Sequence, residues 1–83
     1  MEPIEVAIND AVLRFDGTVL EVFGIGRAGS ARYRVELLRN IAVDGTILQI
    51  QTGDITTIPY AFDAGRQADV ERLVQAVVAA RAR

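Results

Sequence analysis

The chain has 83 residues, no cysteine, no histidine and a formal net charge of −2, and this length suits one domain with one hydrophobic core. Apolar residues make up 51% of the sequence and charged residues 24%, a globular composition that excludes an intrinsically disordered chain. Every basic residue is arginine, and the slightly acidic balance argues against a nucleic-acid binder, because such proteins gain affinity by neutralising phosphates.

The amino-terminal residues argue against export. Residues 1–5 carry two acids and a proline, whereas a secretory signal needs positive charge followed by a long apolar run. The uninterrupted apolar stretches are short, well below the roughly 18 residues that a membrane-spanning helix needs. We therefore expect residues 1–83 to form a single cytoplasmic domain.

The first part of the chain shows the two-residue period of β-strands. Ile4, Val6 and Ile8 predict a first strand that ends at the turn-prone pair Asn9-Asp10. The strongest local signal follows, because two alternating runs are separated by Asp16-Gly17. This pair favours a two-residue hairpin turn, since both residues tolerate positive φ.

A two-residue turn at Asp16-Gly17 predicts a definite register for this hairpin. The predicted pairs are Phe15 with Thr18, Leu13 with Leu20 and Ala11 with Val22. This register turns largely apolar side chains toward a core. Val12, Val19 and Phe23 then lie on the opposite face, beside Arg14 and Glu21, and we single out these three apolar residues as a candidate contact surface.

Residues 31–37 are interpreted as a strand with one solvated face, because charged and apolar side chains alternate along them. Arg32 and Arg34 point to the same side of this strand, and Arg27 lies in the preceding glycine-rich loop. Together the three arginines are candidates to receive a carboxylate, a phosphate or an acidic peptide.

The alternative interpretation of these arginines is a solvated surface that carries no ligand. Glu21 and Glu36 are close enough in the predicted layout to form ion pairs with them. Exposed ion pairs of this kind contribute little to stability.

The chain from Ile41 to Tyr60 predicts further antiparallel strands. A short strand around residues 41–43 ends at a second hairpin signal, Asp44-Gly45, and the last strand pair surrounds Gly53-Asp54. An odd loop or a bulge is expected in this last pair, because only an odd loop places its apolar side chains on one face. The apolar residues that must be aligned are Leu48, Ile50, Ile58 and Tyr60.

After Phe62 the period becomes helical, and we predict one helix over about residues 64–81. Asp63 is the expected N-cap, and Arg81 near the end suits the negative pole of the helix dipole. The predicted apolar stripe consists of Val70, Leu73, Val74, Val77 and Val78.

This order of elements resembles that of pleckstrin-homology-like (PH-like) domains in their compact bacterial form. The resemblance covers nearly the whole chain, and the segments that carry it are Phe15-Asp16-Gly17-Thr18, Arg34-Val35-Glu36-Leu37 leading to Ile41-Ala42-Val43, and the helix after Tyr60-Ala61-Phe62. It implies a mainly β (α+β) fold, in which six or seven short antiparallel strands form a partly open barrel of two near-orthogonal sheets capped by one carboxyl-terminal helix. It also implies a binding domain and no catalysis.

The residue inventory agrees with a domain that is not an enzyme. Without histidine, cysteine or lysine, the chain cannot build a Ser-His-Asp or Cys-His site, a Schiff base or a His/Cys zinc site. We therefore expect no catalytic residues, no cofactor and no metal. The leading hypothesis is an adaptor that binds a protein partner or assembles into a homo-oligomer through Val12, Val19, Phe23, Arg27, Arg32 and Arg34.

Two alternatives remain open. Residues 24–29 read GIGRAG, a GxGxxG motif whose glycines Gly24, Gly26 and Gly29 would serve a small nucleotide-binding βαβ fragment if a helix followed. The other alternative is weak binding to anionic lipid through the arginines. Phosphoinositide-binding PH domains resemble one another in basic residues around the first hairpin loop, and the acidic turns at Asn9-Asp10 and Asp16-Gly17 depart from that pattern.

Overall fold

The two-residue period of the first part of the chain produces seven strands, and the helical period of the last part produces one α-helix. The computed structural model describes residues 2–9, 11–24, 31–52 and 57–82. The strands are β1 (Ile4–Ala7), β2 (Ala11–Phe15), β3 (Val19–Gly24), β4 (Ala31–Arg34), β5 (Asn40–Asp44), β6 (Ile47–Gln51) and β7 (Thr57–Ala61). The helix is α1 (Gln67–Arg81), and short 3₁₀ helices occupy Val35–Leu37 and Ala64–Arg66.

The strands form two antiparallel sheets. The first has the order β1-β2-β3-β4 and the second the order β5-β6-β7, so every paired strand lies next to its neighbour in sequence. The predicted mainly β fold of two sheets with one closing helix is therefore confirmed. In the described part of the chain no strand pairing joins the two sheets, which are not closed into a barrel.

The core lies between the sheets and the helix. Alternate residues of β2, β3 and β6 point into it, as the two-residue period predicts. The largest fully buried side chains are Leu13, Phe15, Leu20, Leu48, Ile50, Val70, Leu73 and Val77. No polar or charged residue is buried among the described residues, so apolar packing alone fills this core.

The first hairpin has a different register from the predicted one. Phe15 pairs with Leu20 and Leu13 with Val22, so the sequence-based register was wrong by two residues. A turn centred on Asp16-Gly17 would need positive φ at both residues, and in the described structure only glycines have positive φ. The shift is even, so the core-facing side chains stay on the predicted face.

Both tight hairpins use the same local sequence, Asp-Gly-Thr followed by a β-branched residue. In each, glycine is the first central turn residue, with φ of 104° at Gly17 and 62° at Gly45. Asp44 pairs with Ile47 across the second turn. This arrangement needs positive φ at only one central position, which glycine supplies without strain.

The last strand pair agrees with the sequence analysis. Ile50 pairs with Ile58 and Leu48 with Tyr60, so the apolar residues share one face. Gln51 pairs with Thr57, which leaves residues 52–56 between them and confirms an odd connection.

The predicted strand over residues 31–37 ends early, at Arg34. Val35–Leu37 form a 3₁₀ helix, which ends with a bond from Leu38 N to Val35 O over 3.2 Å. Val35 N also donates to the backbone O of Thr18, the residue before β3, over 3.0 Å. These bonds turn the chain from the first sheet toward β5. The helix that the nucleotide-binding alternative requires after the glycine motif is not formed by Ala31–Arg34, which pair antiparallel with β3. Residues 25–30 of that motif lie outside the described residues.

The helix closes the core by contacting both β1 of the first sheet and β5 of the second. Two details of the prediction are wrong. Asp63 makes no side-chain capping bond, because the 3₁₀ turn at Ala64–Arg66 separates it from α1. Val78 is exposed, because the buried face is turned toward the small residues Ala76 and Ala80. The described residues contain no helix that is both long and apolar enough to cross a bilayer.

Candidate functional site

The sequence-predicted contact residues lie on one surface, the side of the first sheet that faces away from the core. This outer face consists of Glu5, Ala7, Val12, Arg14, Val19, Glu21, Phe23, Arg32 and Arg34. It contains five of the six candidate residues. The sixth, Arg27, lies outside the described residues.

A row of alternating charges crosses the outer face. Glu5, Arg14, Glu21 and Arg32 are successive cross-strand partners from β1 to β4. Glu5 Oε2 lies 3.7 Å from Arg14 Nε, and Glu21 Oε2 lies 3.6 Å from Arg32 Nε. Opposite charges directly across antiparallel strands attract, and each such pair favours this register.

The central arginine of this row is only partly satisfied. Arg14 Nε is shielded from solvent and has no hydrogen-bond partner among the described residues. The Glu5 carboxylate at 3.7 Å compensates its charge without a hydrogen bond. The row therefore contributes mainly to register and surface charge.

An apolar row runs beside the charged one. Ala7, Val12 and Phe23 are cross-strand partners, and the Phe23 side chain is exposed while Val12 is half-buried. The aromatic ring is thus presented on a strand that is paired within the sheet. A hydrophobic group fixed in this way is typical of a contact surface.

The edge of the first sheet adds a third feature. The strand β4 is the last of its sheet, and in the ranges that the structure describes β3 is its single strand neighbour. A groove of about 220 Å³ follows this edge and is lined by Arg32, Tyr33, Arg34, Leu37, Leu38 and Thr52. A second depression of about 430 Å³ lies beside it and is lined by Val19, Arg32, Arg34 and Leu37.

Leu37 is the residue of this site that the sequence analysis missed. It is 68% exposed, more than any other large apolar residue described. The alternating pattern placed it toward the core, but the 3₁₀ turn that begins at Val35 rotates it outward and buries Leu38 instead. The adjacent leucines were the available signal, because a strand cannot point two successive side chains inward.

The charges at this edge are balanced. Arg34 Nη1 lies 3.5 Å from Glu36 Oε1, and Arg32 pairs with Glu21, as the solvated-surface interpretation expected. The Arg34–Glu36 pair is exposed on both sides and therefore weak, and Arg32 is 71% exposed while its partner Glu21 is half-buried. The arginines remain accessible to another carboxylate.

In the described ranges no three acidic side chains converge in a way that would hold a metal ion. No known family model matches the sequence, and no curated protein matches it.

Proposed function

We propose that this chain is a cytoplasmic, non-enzymatic binding module of PH-like architecture, which acts by contacting a partner protein or a second copy of itself. The order of seven strands and one closing helix supports this proposal, because it follows the pattern that the sequence resembles. The lack of histidine, cysteine and lysine supports a role without catalysis.

The observation that carries the proposal is the uncovered apolar row on the outer face. The helix packs on the core side, where Val70, Leu73 and Val77 join the same buried cluster as Leu13 and Leu20. The main contacts of α1 are with β1, β5 and the two 3₁₀ turns, and the Phe23 side chain on the outer face is 37% exposed. Covering this ring and Val12 with another protein would remove apolar surface from water, which favours association.

The test of self-association is the molar mass in solution. We expect light scattering after size-exclusion chromatography to show a mass that rises with concentration for the wild type and stays monomeric for Phe23→Asp. Ile47→Asp is the matched control, because Ile47 is 39% exposed and Phe23 37% exposed, but Ile47 belongs to the second sheet. Loss of assembly in both variants would contradict a role specific to the outer face.

A monomeric wild type would exclude self-association and leave a different protein as the proposed partner. Selection from a displayed peptide library then tests whether the surface binds a different protein. Sequences are selected for binding to the wild type, and those that also bind Phe23→Asp are removed. Recovery of no sequence that prefers the wild type, together with a monomeric wild type, would overturn the proposed function.

A further inference from the structure

We infer that the free edge of β4 binds an extended peptide segment in which two acidic residues flank an apolar residue, and that the segment adds as a fifth strand to the first sheet. This inference rests on the proposed binding function and names the partner chemistry.

The backbone of β4 offers the main-chain contacts. An edge strand exposes half of its N–H and C=O groups on the side away from its neighbour, and extended peptides bind to such edges by continuing the sheet. Among the described residues no backbone hydrogen bond reaches β4 from that side. The groove lined by three consecutive β4 residues, Arg32, Tyr33 and Arg34, runs along this edge.

The charged row specifies the acidic positions. Across the sheet the row reads Glu5, Arg14, Glu21, Arg32, so the next strand continues the alternation with an acidic residue opposite Arg32. Arg34 lies two residues further along the same face of β4. We therefore expect a second acidic residue in the peptide, two positions from the first. Arginine suits this role because its planar guanidinium binds carboxylates through two donors.

The middle residue of the segment faces the other side of the sheet. There the groove presents the half-buried Tyr33 side chain, while the exposed Leu37 also lines the depression that Val19, Arg32 and Arg34 form on the outer face. An apolar side chain between the two acids would cover Tyr33. The full pattern is therefore acidic, apolar, acidic.

The same charges disfavour pairing between two copies through this edge. In the antiparallel β4–β4 register that pairs the two copies of Tyr33, Arg32 of one copy lies opposite Arg34 of the other. Like charges directly opposite are destabilising, and charged edge residues commonly prevent such self-pairing. The occupant is thus a different, acidic segment.

The test is an NMR titration of the whole domain with two short blocked peptides. One carries two glutamates around a central valine, and the other has lysines in place of the glutamates. We expect the glutamate peptide to shift the amide signals of Ala31–Arg34 and Leu37 and to slow amide exchange in β4. The lysine peptide should bind about tenfold more weakly, since two cross-strand charge pairs change sign.

Charge reversal provides the sharper comparison. The double variant Arg32→Glu/Arg34→Glu should bind the glutamate peptide more weakly and the lysine peptide more tightly than the wild type does. A misfolded protein cannot show this increase in affinity. Arg72→Glu is the matched control. The Arg72 side chain is 70% exposed and paired with Asp69. The Arg32 side chain is similarly 71% exposed and paired with Glu21. This control should leave both affinities unchanged.

Each contrary outcome has a separate meaning. Equal binding of the two peptides, or shifts that avoid β4, overturns the inference, while assembly through Phe23 would still support the proposed function. Binding of phosphatidylserine vesicles that Arg32→Glu/Arg34→Glu abolishes, without peptide binding, overturns it in favour of a lipid ligand. Absence of peptide binding, together with a monomeric wild type and no partner from display selection, removes both the inference and the proposed function.

Discussion

Asp16 is the residue whose side chain holds the first hairpin turn. Its Oδ1 accepts hydrogen bonds from the backbone N–H groups of Thr18 and Val19, both over 2.9 Å. These two bonds hold the pKa of the Asp16 carboxyl below its ordinary value of 3.8, because they stabilise the ionised form. A turn residue that satisfies two backbone donors stabilises the register that follows it.

We predict that Asp16→Ala lowers the free energy of unfolding at neutral pH. The folded-state pKa is depressed, so the Asp16 contribution is complete above pH 3.8 and is lost as the pH falls through the lower folded value. Urea unfolding of wild type and variant should therefore differ at neutral pH and converge in acid. Asp44→Ala is the control in the matching turn, because Asp44 has no side-chain hydrogen bond to the described residues. An equal loss in both variants, or a difference that persists in acid, would contradict this role.

The same residue shows what the sequence could and could not predict. The pair Asp16-Gly17 correctly indicated a hairpin, and the alternation on both sides correctly indicated which side chains enter the core. The position of the turn depended on whether Asp16 adopts positive φ or instead binds the turn with its carboxylate. Aspartate is suited to both roles, so the identity of residue 16 does not distinguish the two registers.

At the scale of the elements, the fully buried face of α1 is narrower than the apolar stripe predicted from its sequence. Five apolar residues fit the helical period, yet Val70, Leu73 and Val77 are fully buried and Val78 is 47% exposed. Ala76 and Ala80, which the predicted stripe did not include, pack against the core instead. This rotation depends on the shape of the sheets, which the helix sequence does not contain.

Adjacent valines in α1 give a direct test of that rotation. Val77→Ala should lower the free energy of unfolding by about 2 kcal/mol, because it removes buried methyl groups and leaves a cavity. The melting temperature should fall by roughly 10 °C. Val78→Ala should instead be neutral or stabilising by about 0.5 kcal/mol, since alanine is the better helix former at an exposed position. Similar losses at both positions, measured by thermal unfolding, would show that both valines are buried.

At the scale of the whole molecule, the resemblance to PH-like domains implied two sheets, but no feature of the sequence predicted the contact between them. The two periods and the turn signals predicted the strands, the hairpins at Asp16-Gly17 and Asp44-Gly45, and the closing helix, but not the order of the strands in the sheets. The two sheets contact each other through the side chains of Tyr33 on β4 and Tyr60 on β7, whose hydroxyl groups lie 3.0 Å apart. Nothing local in either strand indicates this partner, because it depends on how the two sheets pack.

This tyrosine pair makes the stability of the molecule depend on alkaline pH. Burial, and then the hydrogen bond with Tyr33, raise the pKa of the Tyr60 phenol above its ordinary value of 10.0. The contribution of the neutral phenol is therefore complete below pH 10.0 and is lost as the pH rises toward the folded value, because the unfolded chain ionises first.

We therefore predict that Tyr60→Phe costs about 0.5 kcal/mol of unfolding free energy at neutral pH, the low end for a hydrogen bond because the pair is partly exposed. The advantage of the wild type should shrink as the pH rises beyond 10.0, since the variant lacks this ionisation. A double-mutant cycle with Tyr33→Phe, followed by urea unfolding, separates the bond from the two single effects. Additive single effects, or an advantage that does not change with pH, would mean that this bond does not stabilise the contact between the sheets. Coupling that disappears at alkaline pH would instead identify the hydroxyl pair as a long-range contact that stabilises the packing of the two sheets.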